Sequence, residues 1–235
     1  MLLAYHIRVQ LIIASWMVFF AGCATSQGLH PDHLQAILEQ EESRFAGTSP
    51  TVESPPRRNA PTLGLYLTQA GFLHREFEWT TLDRDKILAW SKGLQLSGGK
   101  SAGFVSVASL KGNNLTELKT SAARYGIDWV LVFDGAAAVD RYNNYKAGLL
   151  YWTIFGAYFA DGTNSDALCL MSATLWDVKT GAQLFKQQAQ GMTTKVGPAA
   201  LVDNREEIER ARTVALETLL QRLTDQFAAI AGTRR

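Results

Sequence analysis

The segment Ile127-Asp128-Trp129-Val130-Leu131-Val132-Phe133 constrains the fold of this chain more than any other. It is apolar at nearly every position, shows no alternation, and is bounded by Gly126 and Gly135. Such a run suits a strand covered on both faces of its sheet. A second constraint comes from the far end of the chain. Between about Asn204 and Ile230, the residues Ile208, Ala211, Ala215, Leu219, Leu223, Phe227 and Ile230 recur every three or four positions. That spacing gives a helix one continuous apolar stripe, and the stripe must lie on the sheet.

The intervening chain supplies the other elements. Leu63 to Thr68 alternates around Gly64 as a first strand. A helix is expected from about Asp83 to Leu96, with Thr81 or Asp83 as N-cap and Gly98-Gly99 closing it. Phe104 to Val107 reads as a second strand. Asn114 caps a helix that presents Leu115, Leu118 and Ala122 on one face and stops at Gly126. After Ile127–Phe133 the pattern changes to consecutive strands at Leu149–Ala160, Ala167–Val178 and Gln183–Gln190. Asp161-Gly162-Thr163-Asn164 turns the first pair, and Asp177-Val178-Lys179-Thr180-Gly181 the second, where Gly181 can take positive φ. The predicted fold is therefore α/β: β-α-β-α-β, then a three-strand meander and a long C-terminal helix packed on a mixed sheet.

The amino terminus reads as an export signal. Arg8 supplies the positive charge, and Leu11 to Ala21 is apolar apart from Ser15. Gln10 interrupts the run, which is shorter than the about 20 apolar residues that a membrane-spanning helix needs. It ends in Phe20-Ala21-Gly22-Cys23, where small residues admit a peptidase and the thiol can accept a diacylglycerol. This string resembles a lipobox, with Phe20 standing where Leu is usual. Residues 1–22 are thus the expected signal peptide, cleaved between Gly22 and Cys23, and the only expected cofactor-like group is the covalent lipid on Cys23. Because one acyl chain anchors only marginally, two or three on Cys23 would hold the chain firmly to a membrane. Ala24 follows the cysteine in place of Asp, which by resemblance to lipoprotein sorting implies the outer membrane, facing the periplasm.

Residues 23–61 form the expected tether. A helix begins at Pro31-Asp32-His33-Leu34 and runs to about Phe45, and a Pro-rich linker occupies residues 47–61. The spacing leaves open whether that helix is a spacer or docks on the domain. The domain itself spans residues 62–231, with 232–235 as a tail. Lipidation of Cys23 leaves Cys169 without a disulfide partner, and its neighbours Leu168, Leu170 and Met171 mark it as a small buried hydrophobe. The signal carries one of the 23 basic residues, so the mature chain balances 22 basic against 22 acidic residues. That balance offers no electrostatic case for nucleic acid.

Two sets of strings carry a family likeness. Tyr125-Gly126-Ile127-Asp128-Trp129-Val130-Leu131-Val132 resembles the strand entry of periplasmic α/β lipoprotein domains, among them the curli-secretion group and the amino-terminal domain of the Tol-system propeller protein. Tyr151-Trp152-Thr153-Ile154-Phe155-Gly156-Ala157-Tyr158, then Asn164-Ser165-Asp166, Trp176-Asp177-Val178 and Leu184-Phe185 resemble, in the same order, the core of the rhombotarget (rhombotail) lipoproteins. This likeness covers roughly residues 62–230 and implies an exported lipoprotein. Some members carry a processed tail with a Gly-Gly motif and an apolar segment. Here the chain ends Ile230-Ala231-Gly232-Thr233-Arg234-Arg235, so tail processing is not implied.

No residue set in the sequence converges on catalysis or metal binding. His30 and His33 stand three apart without further ligands, and His74 lies beside Arg75 and Glu76. Gly98-Gly99-Lys100-Ser101 lacks the earlier glycine of a phosphate loop, since Leu94 stands there, and it follows a helix where a phosphate loop follows a strand. Asp128 and Asp134 bracket the strongest strand at even spacing and would serve an envelope hydrolase only with a His, Lys or Ser partner. The uncharged stretch Gly148 to Ala160 reads either as a central strand or as an interaction surface of Tyr151, Trp152, Phe155 and Tyr158 for a membrane or a partner. The expected role is a non-catalytic, lipid-anchored binding or assembly module with an envelope protein as partner. The alternatives are that hydrolase, or a subunit of an oligomeric export pore.

Overall fold

The computed structural model describes residues 26, 28–46, 62–68, 77–96, 100–101, 103–105, 114–144, 147 and 158–233. In chain order the elements are α1 (Pro31–Ala46), β1 (Thr62–Leu67), α2 (Thr81–Gly93), β2 (Gln95–Leu96), β3 (Lys100–Ser101), β4 (Gly103–Val105), α3 (Leu115–Arg124), β5 (Trp129–Asn143), β6 (Thr163–Asp177), β7 (Gln183–Gly197) and α4 (Asn204–Thr233). One five-stranded sheet has the order β4-β1-β5-β6-β7, and β2 pairs with β3 apart from it. Strand β1 is parallel to both β4 and β5, with Leu63 opposite Trp129 and Leu67 opposite Phe133. Strands β6 and β7 are joined by only five residues, too few for a parallel crossover, so they form an antiparallel hairpin. The sheet is mixed and a long C-terminal helix closes the chain on it, which is the α/β fold expected from the sequence.

The chain divides into two compact units, the smaller made of residues 1–29, 139–167 and 193–207, the larger of the remainder. In the larger unit, β5 is buried on both faces from Trp129 to Phe133, as its composition requires. Val130 and Val132 join Tyr66, Trp176 and Val178 beneath Leu115, Leu118 and Ala122 of α3. On the opposite face Phe133 meets Trp79 and Trp90 edge-on at 6.5 and 6.4 Å, and Trp90 reaches Phe227 of α4 at 6.2 Å. Each aromatic pair of this kind contributes about 0.5–1.5 kcal/mol beyond its buried area. The predicted stripe of α4 is the buried one: Ala211, Ala215, Leu219 and Leu223 are inaccessible, and Phe227 nearly so.

Helix ends follow local chemistry. Asn114 accepts from Glu117 N–H at 2.9 Å to start α3, and Gly126 ends the turn after it at φ 64°. For α2 the N-cap is Thr80, one residue before Thr81, the earlier of the two expected caps. Its hydroxyl accepts from Asp83 N–H while Asp83 accepts from Thr80 N–H, a reciprocal capping box. Helix α2 stops at Gly93, earlier than expected, and Gln95–Leu96 turn back to pair with Lys100–Ser101. The tight β6–β7 turn places Gly181 at φ 71°.

Helix α1 docks on the larger unit. Leu34 and Leu38 are buried, the helix lies beside α3, and Glu42 bonds Thr174 Oγ1 and the Lys186 ammonium. Strand β5 continues ten residues past Phe133, and β7 seven past Gln190. The expected strand Leu149–Ala160 falls mostly outside the described residues, and within it Tyr158 and Phe159 are helical.

Candidate functional site

The two aspartates that bracket the central run do not form a dyad. Asp128 accepts the Thr62 N–H at 2.9 Å, at the start of β1, while Asp134 accepts the Thr68 hydroxyl at 2.6 Å, just past its end. Asp134 also accepts its neighbour's amide, Gly135 N–H, at 2.8 Å. Six residue steps separate the carboxylates, about 20 Å of extended chain. Their even spacing serves register: each fixes one end of β1 against β5, where Thr68 N–H also donates to Phe133 O. Strand β5 does not end at Asp134, as the sequence suggested, but runs through it.

The other candidates are equally plain. His30 and His33 are exposed at the start of α1. Among the described residues, no group of three or more His, Cys, Asp or Glu side chains could hold a metal ion. Cys169 is fully buried, and burial pushes its thiol up to about 12, with Asp83 adding to the rise and Arg212 opposing it. At neutral pH it stays a protonated, inert thiol. His74, Gly98, Gly99, Gly22 and Cys23 lie outside the described residues, as do Tyr151, Trp152 and Phe155 of the expected interaction surface. Tyr158 is described and half-exposed, and Phe159 beside it is 80% exposed.

Buried charge gathers at two places in the larger unit. Arg212 Nε lies 3.2 Å from Asp83 Oδ2, both side chains nearly inaccessible, and the guanidinium also donates to Glu78 O at 3.0 Å. Beneath α3, Lys119 is inaccessible; burial lowers its ammonium below the ordinary lysine range and the Asp177 carboxylate partly restores it. Nearby Tyr66 is raised, first by burial and then by Glu117. These groups are enclosed, and each of Lys119, Tyr66 and Asp177 has partners within the fold.

The smaller unit carries a feature that sequence reading did not find. Asp140 of β5, 8% exposed, accepts from Ser26 Oγ at 2.5 Å and from Gly28 N–H at 2.9 Å. The two donors come from the polar stretch just past Cys23. Gly28, at φ 76°, adopts the left-handed backbone that lets its amide turn toward the carboxylate. One residue on, Arg141 donates to Ala199 O and so ties the turn at residues 198–201 to β5. Three residues further, Asn144 donates through its backbone to Gly162 O and through its side chain to Asp161 O. Both loops expose apolar side chains: Leu201 (64%) in one, Tyr158 and Phe159 in the other. A partner 114 positions away gives Asp140 no local signal, so nothing in the sequence marks it.

No family model matches this chain, and no curated protein matches it. Among solved structures it is similar to a homolog of the neuraminyllactose-binding hemagglutinin from Helicobacter pylori, at TM-score 0.40 and 12% identity over 75% of this chain and 88% of that one. It is similar to lipoprotein GNA1162 from Neisseria meningitidis at TM-score 0.36 and 13% identity, over 72% and 99% of the two chains. It is also similar to a minor lipoprotein from Acinetobacter baumannii at TM-score 0.34 and 14% identity, over 77% and 94%. Bacterial lipoproteins are thus among its structural neighbours, at TM-scores too low to lend this chain a family or an activity.

Proposed function

We propose that this chain is a lipid-anchored envelope lipoprotein whose domain is a non-catalytic binding or assembly module facing the periplasm. The observation that carries the non-catalytic part is the placement of Asp128 and Asp134. The sequence offered these carboxylates as an acid–base pair, and each is instead bonded to one end of β1. The anchor rests on the string Phe20-Ala21-Gly22-Cys23 after a short apolar run, and on the likeness of the later strings to rhombotarget lipoproteins. Among the described residues, no helix is long and apolar enough to cross a membrane. The proposed attachment is the lipid on Cys23, and the outer membrane is its proposed site because Ala24 follows the cysteine.

The proposed partner is another envelope protein. Affinity capture from solubilised membranes, with a tag at the carboxy terminus, tests this. The expected result is one envelope protein recovered reproducibly, and recovered equally with the Asp128→Asn variant. Loss of recovery in a folded Asp128→Asn chain would return that carboxylate to a functional role; recovery of no reproducible partner would count against a binding module.

A further inference from the structure

We infer that residues 26–28 form a strap closed on the Asp140 carboxylate of the smaller unit, and that the strap sets the free length of the amino-terminal stretch. The sequence read everything from Cys23 to residue 61 as tether. Asp140, however, is only 8% exposed, and a carboxylate so enclosed must be met by donors. Ser26 Oγ donates to its Oδ2, and Gly28 N–H reaches the same oxygen at 2.9 Å. That N–H also lies 3.1 Å from Ser26 Oγ, so hydroxyl, amide and carboxylate close one ring. The ring needs Gly28 at φ 76°, where a residue with a Cβ is strained. Opening it would take two donors from a charged oxygen that water hardly reaches, which favours the closed strap.

The strap is fastened separately from α1. Leu29 and His30 stand between Gly28 and Pro31, where α1 begins, and α1 is held within the larger unit by Leu34, Leu38 and Glu42. Opening the strap therefore lengthens the free chain and leaves the helix docked. From Cys23 to Ser26 is three residue steps, a reach of at most about 10 Å. From Cys23 to Pro31 is eight steps, about 27 Å when extended. For a chain held by lipid on Cys23, the reading on which this consequence rests, the strap decides which of the two lengths separates domain from anchor. The bonds of the strap themselves do not depend on that reading.

Hydrogen exchange read by mass spectrometry on the full chain, purified from membranes, tests the strap. The Gly28 amide is expected to exchange about tenfold or more slowly than in an unstructured peptide of the same sequence, the order that one bond to a charged acceptor supports. Asp140→Ala should bring it to the peptide's rate while the amides of α1 between Leu34 and Glu42 stay as protected as in the wild type. Asp140→Asn, which keeps an acceptor oxygen, should retain part of the protection. Gly28→Ala leaves the carboxylate in place and should open the strap through backbone strain alone. A wild-type Gly28 amide that exchanges at the peptide's rate would overturn the inference, as would protection unchanged in both alanine variants. Loss of α1 protection together with that of Gly28 would overturn the separate fastening, and with it the change in reach. A chain without fatty acid on Cys23 that still protects Gly28 would leave the strap standing and overturn the anchor.

Discussion

Replacing Arg212 by Met is expected to cost this protein about 3–5 kcal/mol of stability, because it strands a charged carboxylate in the core. Asp83 is 3% exposed, and the Arg212 guanidinium at 3.2 Å is its counter-charge. The carboxylate cannot turn to water, since it also closes the capping box of α2 through Thr80 N–H and the Thr80 hydroxyl. Taking two charges out of water is itself costly, so the intact pair adds little net stability; the damage comes from leaving one partner alone. A double variant, Asp83→Asn with Arg212→Met, should therefore recover most of the loss, because Asn still accepts the Thr80 bonds without a charge. Urea unfolding of the wild type and both variants checks this. An Arg212→Met chain within about 0.5 kcal/mol of wild type, the range of an ordinary surface change, would sink the argument. So would a double variant no better than the single one.

Gly191→Ala is expected to be nearly as damaging, although it adds one methyl group. A Cβ at Gly191 would stand 2.0 Å from Ala211 O and 2.6 Å from Ala215 N, both backbone atoms of α4. No side-chain rotation relieves such a clash, so the helix must move off β7 or the strand must bend. Overpacking of this kind costs typically 1–3 kcal/mol, and the upper end applies where the obstacle is helix backbone. Gly191→Val should do worse, with loss of the near-ultraviolet signal from the contact between Trp90 of α2 and Phe227 of α4. An alanine variant with an unchanged urea midpoint would show that α4 does not approach β7 as closely as described.

Glycine also explains where the sequence could and could not be read. The core run of β5, the caps at Asn114 and Gly126, the turn at Gly181 and the stripe of α4 were legible because each rests on a local rule. The ends of β5 and β7 were not. Gly135 was read as bounding its strand, and the expected last strand stopped at Gln190, just before Gly191, yet both strands run through these glycines. The Phe77 ring lies where a Cβ on Gly135 would go, 2.3 Å from its nearest atom, and α4 does the same at Gly191. Each glycine marks a close approach by something distant in sequence, and one chain read alone does not distinguish that from a stop. The Asp128 and Asp134 pair was legible as strand-bracketing carboxylates, while their ligand, the two ends of β1, lies more than 60 residues upstream. Asp140 and Ser26 were silent for the same reason at greater separation. Helix α1 was legible as a helix, but its docking depends on Glu42 meeting Thr174 and Lys186.

In the larger unit the buried charges are paired within the fold, and in the smaller one Asp140 accepts from Ser26 and Gly28. What gives that arrangement a purpose is the lipid proposed for Cys23. Metabolic labelling with a clickable fatty acid, comparing the full-length chain with Cys23→Ser, tests this most directly. The account predicts a labelled, membrane-associated mature protein that loses its label entirely in Cys23→Ser. Label that persists in Cys23→Ser, or a wild-type chain exported without label, would contradict it.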